Sequence, residues 1–309
     1  MNDYRRQFLQ TGLIILFSGV VAIAQQVADE GYVPEISQVE YQKDEGSVIF
    51  IDEGHQNFHT KDGRYQSFAK LLERDGYQLK GYEGRFERDR LQKGKILVIS
   101  NAIHESNLGN WVLPNPSAFT MDEISILTSW VHEGGSLFLI ADHMPMAGAA
   151  SDLAAAFGFK FTNGFVFDTV SNGPAIFNRD NGGLHSNAIT NGRNNHEKVD
   201  RIATFTGQAF EIPEDAKAIL TFNEDFDNVL PDTAWIFRGH TPRHGVEGWS
   251  QGAYKIFGKG RVVVFGEAAM FTAQLAGPEK RKFGMNTEIA KENYQLALNI
   301  IHWLDHRFD

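Results

Sequence analysis

The chain has no cysteine. Disulfides, thiolate metal ligands and a cysteine nucleophile are therefore excluded. It also lacks a basic excess: 29 Lys and Arg stand against 39 Asp and Glu, a formal net charge of −10. No basic stretch is clustered enough to neutralise phosphates, so nucleic acid is not an expected partner. Beyond residue 24 there is no second long apolar run, and no repeat or heptad is evident. Glycine, by contrast, is plentiful at 30 residues, which points to many tight loops rather than to disorder.

The first residues have a different character. Arg5 and Arg6 precede Phe8 and Leu9, and an apolar run from Leu13 to Ala24 follows, broken only by Ser18 and Gly19. Ala22-Ile23-Ala24 is a small-x-small cleavage site, which makes Gln25 the expected mature N-terminus. The Arg-Arg-x-Phe-Leu run resembles a twin-arginine export signal. An uncleaved anchor is the weaker reading, because a spanning helix needs about 20 apolar residues. The expectation is a signal peptide over 1–24 and a periplasmic or extracellular protein that meets the membrane only during export. Residues 1–24 carry Asp3, Arg5 and Arg6, so their removal takes the charge from −10 to −11.

Residues 25–46 are polar and aperiodic and read as an extended lead-in. From 47 to 309 the pattern is that of one α/β domain. Val48 to Ile51, Lys95 to Ser100, Leu137 to Ile140 and Arg261 to Phe265 are short, β-branched-rich apolar runs. Each suits a strand buried on both faces. Helical spacing marks Tyr65 to Arg74, a segment after the capping box Thr120-Met121-Asp122-Glu123, an alanine-rich stretch from Ala147 to Phe157, and Thr287 to Leu304. Strands alternating with helices predict a flavodoxin-like three-layer α/β/α arrangement with a mainly parallel sheet. Between Phe159 and Phe257 short strand-like pieces sit among Asn- and Gly-rich loops, which predicts a β insertion. Phe165 to Phe167, Ala218 to Phe222, Ala234 to Phe237 and Ala253 to Phe257 are the pieces.

In open α/β sheets ligands bind beyond the carboxyl ends of the strands. Four such ends carry polar clusters: Asp52 to His59, Asn101 to Glu105, Asp142-His143, and Glu267. Four of the 11 histidines fall there. Two chemistries suit this set. His55, His59, Asp142 and His143, with Glu267 beside them, can ligate a divalent metal such as zinc that activates a bound water. Without a metal, Asp142 with His55 or His143 can act as general acid and base. The plainer alternative is that these groups hydrogen-bond one another and close the top of the sheet. Asp52, Asn57, Asn101 and His104 are candidate ligand contacts. Asn286 is another, although its position before the last helix suits an N-cap.

Several of these segments resemble the class I glutamine amidotransferase-like superfamily. The helix ending in Gly134-Gly135 and the strand after it, within Trp130 to His143, are similar to that fold. Leu184 to Gly192 resembles a His-x-Ile-Thr-x-Gly segment, with one extra residue, of its non-amidotransferase branches. Those branches include trehalose-utilisation-type proteins and auxiliary subunits of gliding-motility transporters. Asp52 to His59, Gly266 to Phe271 and Gly284-Met285-Asn286 resemble signatures of an uncharacterised exported bacterial branch. The likeness covers about residues 47–305 and implies a fold and a cleft location. Amidotransferases carry their cysteine after the third buried strand, where this chain has Ala141-Asp142-His143. Amidotransferase activity therefore does not carry over, and no Gly-x-Ser-x-Gly elbow replaces it.

Two functions are expected to compete. One is an exported hydrolase acting on a small polar molecule or glycan, with Asp142, His143, His55 and Glu267 central. The other is a non-catalytic ligand-binding or transporter-associated module of the same fold. Exposed aromatics such as Trp111 or Trp249 are a weaker pointer to assembly.

Overall fold

The structure is a computed structural model and describes residues 26–171 and 173–309. The expected signal peptide and its cleavage site lie outside the described residues.

Nine strands form the main sheet: β1 Val48–Asp52, β2 Gln78–Tyr82, β3 Ile96–Ser100, β4 Ser136–Ile140, β5 Lys160–Phe161, β6 Phe210–Glu211, β7 Lys217–Thr221, β8 Ser250–Phe257 and β9 Gly260–Phe265. Their order is β2-β1-β3-β4-β9-β8-β6-β5, with β7 also paired to β8. The half from β2 to β9 is parallel. From β8 onward every pairing is antiparallel. The sheet is thus mixed, and the expectation of a mainly parallel one holds for the first half alone. Strand β2 escapes a reading of the sequence because Gln78-Leu79-Lys80-Gly81-Tyr82 sits at an edge and needs no continuous apolar run.

Four helices flank the parallel half: α1 Gln66–Arg74, α2 Met121–His132, α3 Met146–Ala156 and α4 Asn293–Leu304. Strand residues alternate between two cores. Ile49, Ile51, Val98 and Ile140 pack with Phe68 and Leu72 of α1 and Leu296 and Ile300 of α4. Phe50, Leu97, Ile99 and Leu139 pack with Leu127 and Val131 of α2 and Leu153 of α3. Each such side chain, fully withdrawn from water, contributes about 1.5–3 kcal/mol. This two-sided burial is the reason the strands read as continuous apolar runs. The last helix begins at Asn293 rather than at Thr287, because a 3-10 turn, Glu288–Ala290, precedes it.

The capping box at α2 forms as its sequence requires. Thr120 Oγ1 accepts from the Glu123 N–H at 3.3 Å, and Glu123 Oε2 accepts from the Thr120 N–H at 3.0 Å. Thr120→Ala removes one of these partners. Its expected cost is about 1 kcal/mol, read as a lowered urea midpoint with an unchanged slope.

The lead-in is more than an extended tail. Gln26–Ala28 pairs antiparallel with Ala273–Ala276. Glu40 bridges Arg193 and Arg307. Its backbone N–H also binds Asp75, whose other oxygen meets the buried His302 at 2.6 Å. In the insertion Phe165–Asp168, Phe226–Val229 and Arg243–Gly245 form a small antiparallel sheet. Ala234 to Phe237, expected as a strand, is instead a turn with Trp235 at φ 66°.

Candidate functional site

Strands β1, β3, β4 and β9 end side by side, so the turns after them share the carboxyl edge of the sheet. The turn after β1 is closed by its own side chains. Asp52 is fully buried and accepts from the Gly54 N–H, from His55 Nδ1 at 2.9 Å and from Asn57 Nδ2 at 2.9 Å. His55 Nε2 meets Glu123 Oε1 at 3.1 Å. The imidazole lies between the rings of Phe86 and Phe119, with centroids 4.5 and 4.7 Å away. Burial pulls the His55 pKa down, but the hydrogen bonds and charges of Asp52 and Glu123 outweigh it and the net shift is upward. For Glu123, burial pushes up, yet the bonds from Thr120 and His55 bring it below its ordinary value. With both ring nitrogens on carboxylates, the surroundings of His55 favour its protonated form, and the ring links β1 to α2.

This corrects several expectations. His55 has no free nitrogen for a metal or a substrate. Asn57 donates to Asp52 and to the Ser100 carbonyl and accepts from the His55 N–H, so it builds the turn. His104 caps a short 3-10 turn through Ser106. Asn286 neither caps the last helix nor faces the edge. It donates to Asp29 and to the Gln274 carbonyl and ties down the lead-in. Among the described residues no three His, Asp or Glu side chains are grouped as a metal site requires. The expected ligands His55, His59, Asp142 and His143 do not fit a zinc ion.

The groups the structure does bring together follow β3, β4 and β9. Asn101, at φ 50°, accepts the Asp142 N–H on its side-chain oxygen at 2.8 Å and so positions the turn after β4. Asp142 Oδ1 accepts from the His143 N–H at 2.9 Å. His143 Nδ1 donates to the Met144 carbonyl at 2.7 Å, which leaves Nε2 with the lone pair, 3.9 Å from Asp142 Oδ1. That distance is too long for a hydrogen bond. Glu267 is fully buried behind this pair. Its oxygens accept from the Ala269 and Met270 N–H groups, both at 2.8 Å. Burial first, and then the charge of Asp142, push its pKa well up against those bonds. Burial thus works against the ionised form of Glu267 and keeps it out of direct reach of a ligand.

Sequence reasoning misses three features here. The first is Tyr65, buried with its hydroxyl on the Ala268 carbonyl; burial, then Glu267 and Asp142, raise its pKa despite a contact from Ser100. His59, expected as a ligand, packs on Tyr65 instead, 4.7 Å between ring centroids. Its Nδ1 is buried without a partner, and burial, helped by Arg64, pushes its pKa down to about 3. The second feature is Gln208, which donates to the Ala141 carbonyl at 2.9 Å. The third is a rim of rings around His143: Phe165 stacks on it at 4.1 Å, and Trp235 meets it edge-on at 4.8 Å. Trp235 is 52% exposed and Phe237, against Phe165, is 38% exposed. A tryptophan in the left-handed region costs about 1–3 kcal/mol, a strain typical of functional sites.

No protein-family model matches the chain, and no curated protein matches it. Solved structures do. The mmIFT52 N-terminal domain aligns with a TM-score of 0.57 at 14% identity, over 84% of this chain and 98% of that one. This chain shares its α/β fold. Structural neighbours at low identity include a ThuA-like protein from Bacteroides uniformis, with a TM-score of 0.43 at 12% identity over 83% and 90% of the two chains. A GMP synthase-like protein from Thermoplasma acidophilum gives 0.41 at 11% identity over 82% and 92%. No described helix is long and apolar enough to cross a membrane.

Proposed function

We propose that this chain is an exported hydrolase acting on a small polar or carbohydrate ligand at the carboxyl edge of its sheet. The state of His143 carries the reading. Its Nδ1–H is fixed on Met144, its Nε2 is free beside Asp142, and the exposed ring of Trp235 meets it edge-on. A ligand ring lies against Trp235 and Phe237. His143 Nε2 takes a proton from water as that water attacks, and the Asp142 carboxylate stabilises the imidazolium formed. The imidazolium then returns its proton to the leaving group. Burial and the charge of Asp142 push the Glu267 pKa well up, which disfavours a second negative charge at the site. The fold is read more finely as a flavodoxin-like three-layer domain of the cysteine-less, amidotransferase-like branch. The β2-β1-β3-β4-β9 order and helices on both faces support this.

Trp235 gives the direct test of recognition. Titration of the full chain with neutral mono- and oligosaccharides is expected to change tryptophan fluorescence, and Trp235→Ala is expected to weaken binding about tenfold or more. Unchanged emission with every sugar would remove the carbohydrate reading. One observation favours the second reading, a non-catalytic binding module: Glu267 is buried and its oxygens are taken up by backbone N–H groups. Sugar binding without turnover of any glycoside or ester would select it.

A further inference from the structure

The insertion holds a cleft against the strand Phe165–Asp168. Phe165 of this strand stacks on His143, and the next three residues, Val166, Phe167 and Asp168, line the cleft. One lobe, about 480 Å³, is walled by Phe167, Phe205, Phe222, Phe226 and Phe283. That size suits a small organic ligand. Gly207 supports this strand, its carbonyl accepting the Val166 N–H at 2.9 Å. At φ 105° it packs so closely that a Cβ would lie 2.2 Å from the Gly266 carbonyl. A second lobe, about 220 Å³, shares Asp168 and Phe226 and adds Asn181, Asn223 and Asp225. Among the described residues lining either lobe there is no Lys, Arg or His.

A buried polar group in the apolar lobe is left unpaired. Gln251 is 1% exposed, and its Nε2 donates to the Thr206 carbonyl at 2.9 Å. That bond fixes the amide orientation and leaves Oε1 with no donor. A buried acceptor without a donor costs about 1–3 kcal/mol, so a ligand that supplies one is favoured. In the other lobe Asp168 is held ionised: burial pushes its pKa up, but hydrogen bonds from Ser171 and Val170 bring it down.

We propose that this cleft is a second binding site, for an arylalkylamine whose ring carries a hydrogen-bond donor. The ring enters the phenylalanine lobe, its N–H or O–H donates to Gln251 Oε1, and the ammonium group lies by Asp168 and Asp225. Phenylalanine faces also favour a cation over an anion.

Isothermal titration of the full chain with tyramine tests this. Tyramine is expected to bind, and phenethylamine, without the ring hydroxyl, to bind about tenfold or more weakly. The carboxylate of the same ring, 3-(4-hydroxyphenyl)propionate, is expected to lose about tenfold or more through its charge. Asp168→Asn and Asp225→Asn are each expected to weaken tyramine and narrow its lead over the carboxylate. Two variants are used so that a folding defect in one leaves the other informative. The proposal is overturned if the carboxylate binds as tightly as the amine. It is equally overturned if both variants leave tyramine unaffected, or if neither amine gives heat up to about 10 mM.

Discussion

Asp52→Ala is expected to lower the unfolding free energy by about 3–5 kcal/mol, the largest single-site loss of stability foreseen for this chain. The reason is the buried charge it leaves behind. His55 donates one ring N–H to Asp52 and the other to Glu123, between two phenylalanine rings. Without Asp52 the imidazolium keeps one carboxylate and loses the other, and the Gly54 and Asn57 donors lose their acceptor. The pH dependence has a definite sign. The His55 pKa is raised above its ordinary 6.5, so its contribution is complete below 6.5 and fades as pH rises through the folded-state value. The Glu123 pKa is lowered below 4.5, so its contribution is complete above 4.5 and fades as pH falls through the folded-state value. The stability of the wild-type chain from this network is thus greatest between 4.5 and 6.5. Urea melts at several pH values measure both effects. A loss under about 1 kcal/mol in Asp52→Ala, or a profile with no decline on the alkaline side, would mean that His55 is neutral in the folded chain.

What is legible in the sequence follows from what each signal depends on. Strands β1, β3, β4 and β9 are readable because burial on both faces demands continuous apolar runs. The capping box at Thr120 is readable because its chemistry is local. The edge strand β2 is not, since Leu79 and Tyr82 alone do not make a pattern. At the site, the sequence points to the correct sheet edge but not to the division of labour on it. Asp52, His55 and Asn57 lie close in the chain and look like ligands. Their true partner, Glu123, comes from the start of α2, and only the fold brings it there. In the sequence Glu123 reads as a cap alone, whereas in the fold it serves both purposes at once. Likewise, nothing local to Trp235 marks it as a neighbour of His143. The segment reads as a strand, and its turn is set by contacts with Trp111 and Phe165.

Asp142→Asn is expected to reduce turnover of any glycoside or ester the chain hydrolyses by about 10²–10⁴-fold, the span a positioned acid or base contributes. The change is nearly isosteric. The asparagine oxygen still accepts the His143 N–H, and the Asn101 bond to the residue 142 backbone is untouched. What it removes is the charge that stabilises the imidazolium at His143. The same loss acts on Glu267, whose pKa is held up first by burial and then by Asp142. In the variant, the Glu267 titration is expected to move downward, seen in its carboxyl carbon resonance. The sign for stability follows. Because the folded-state pKa of Glu267 lies above its ordinary 4.5, stability falls as pH rises from 4.5 through that value. A lower folded-state value narrows this window, so Asp142→Asn is expected to lose less stability at its upper end. The two readouts separate the possibilities. If Glu267 moves while turnover is unchanged, Asp142 is an electrostatic neighbour with no part in the chemistry. If both change together, the carboxylate that tunes the buried acid is also the one that serves His143.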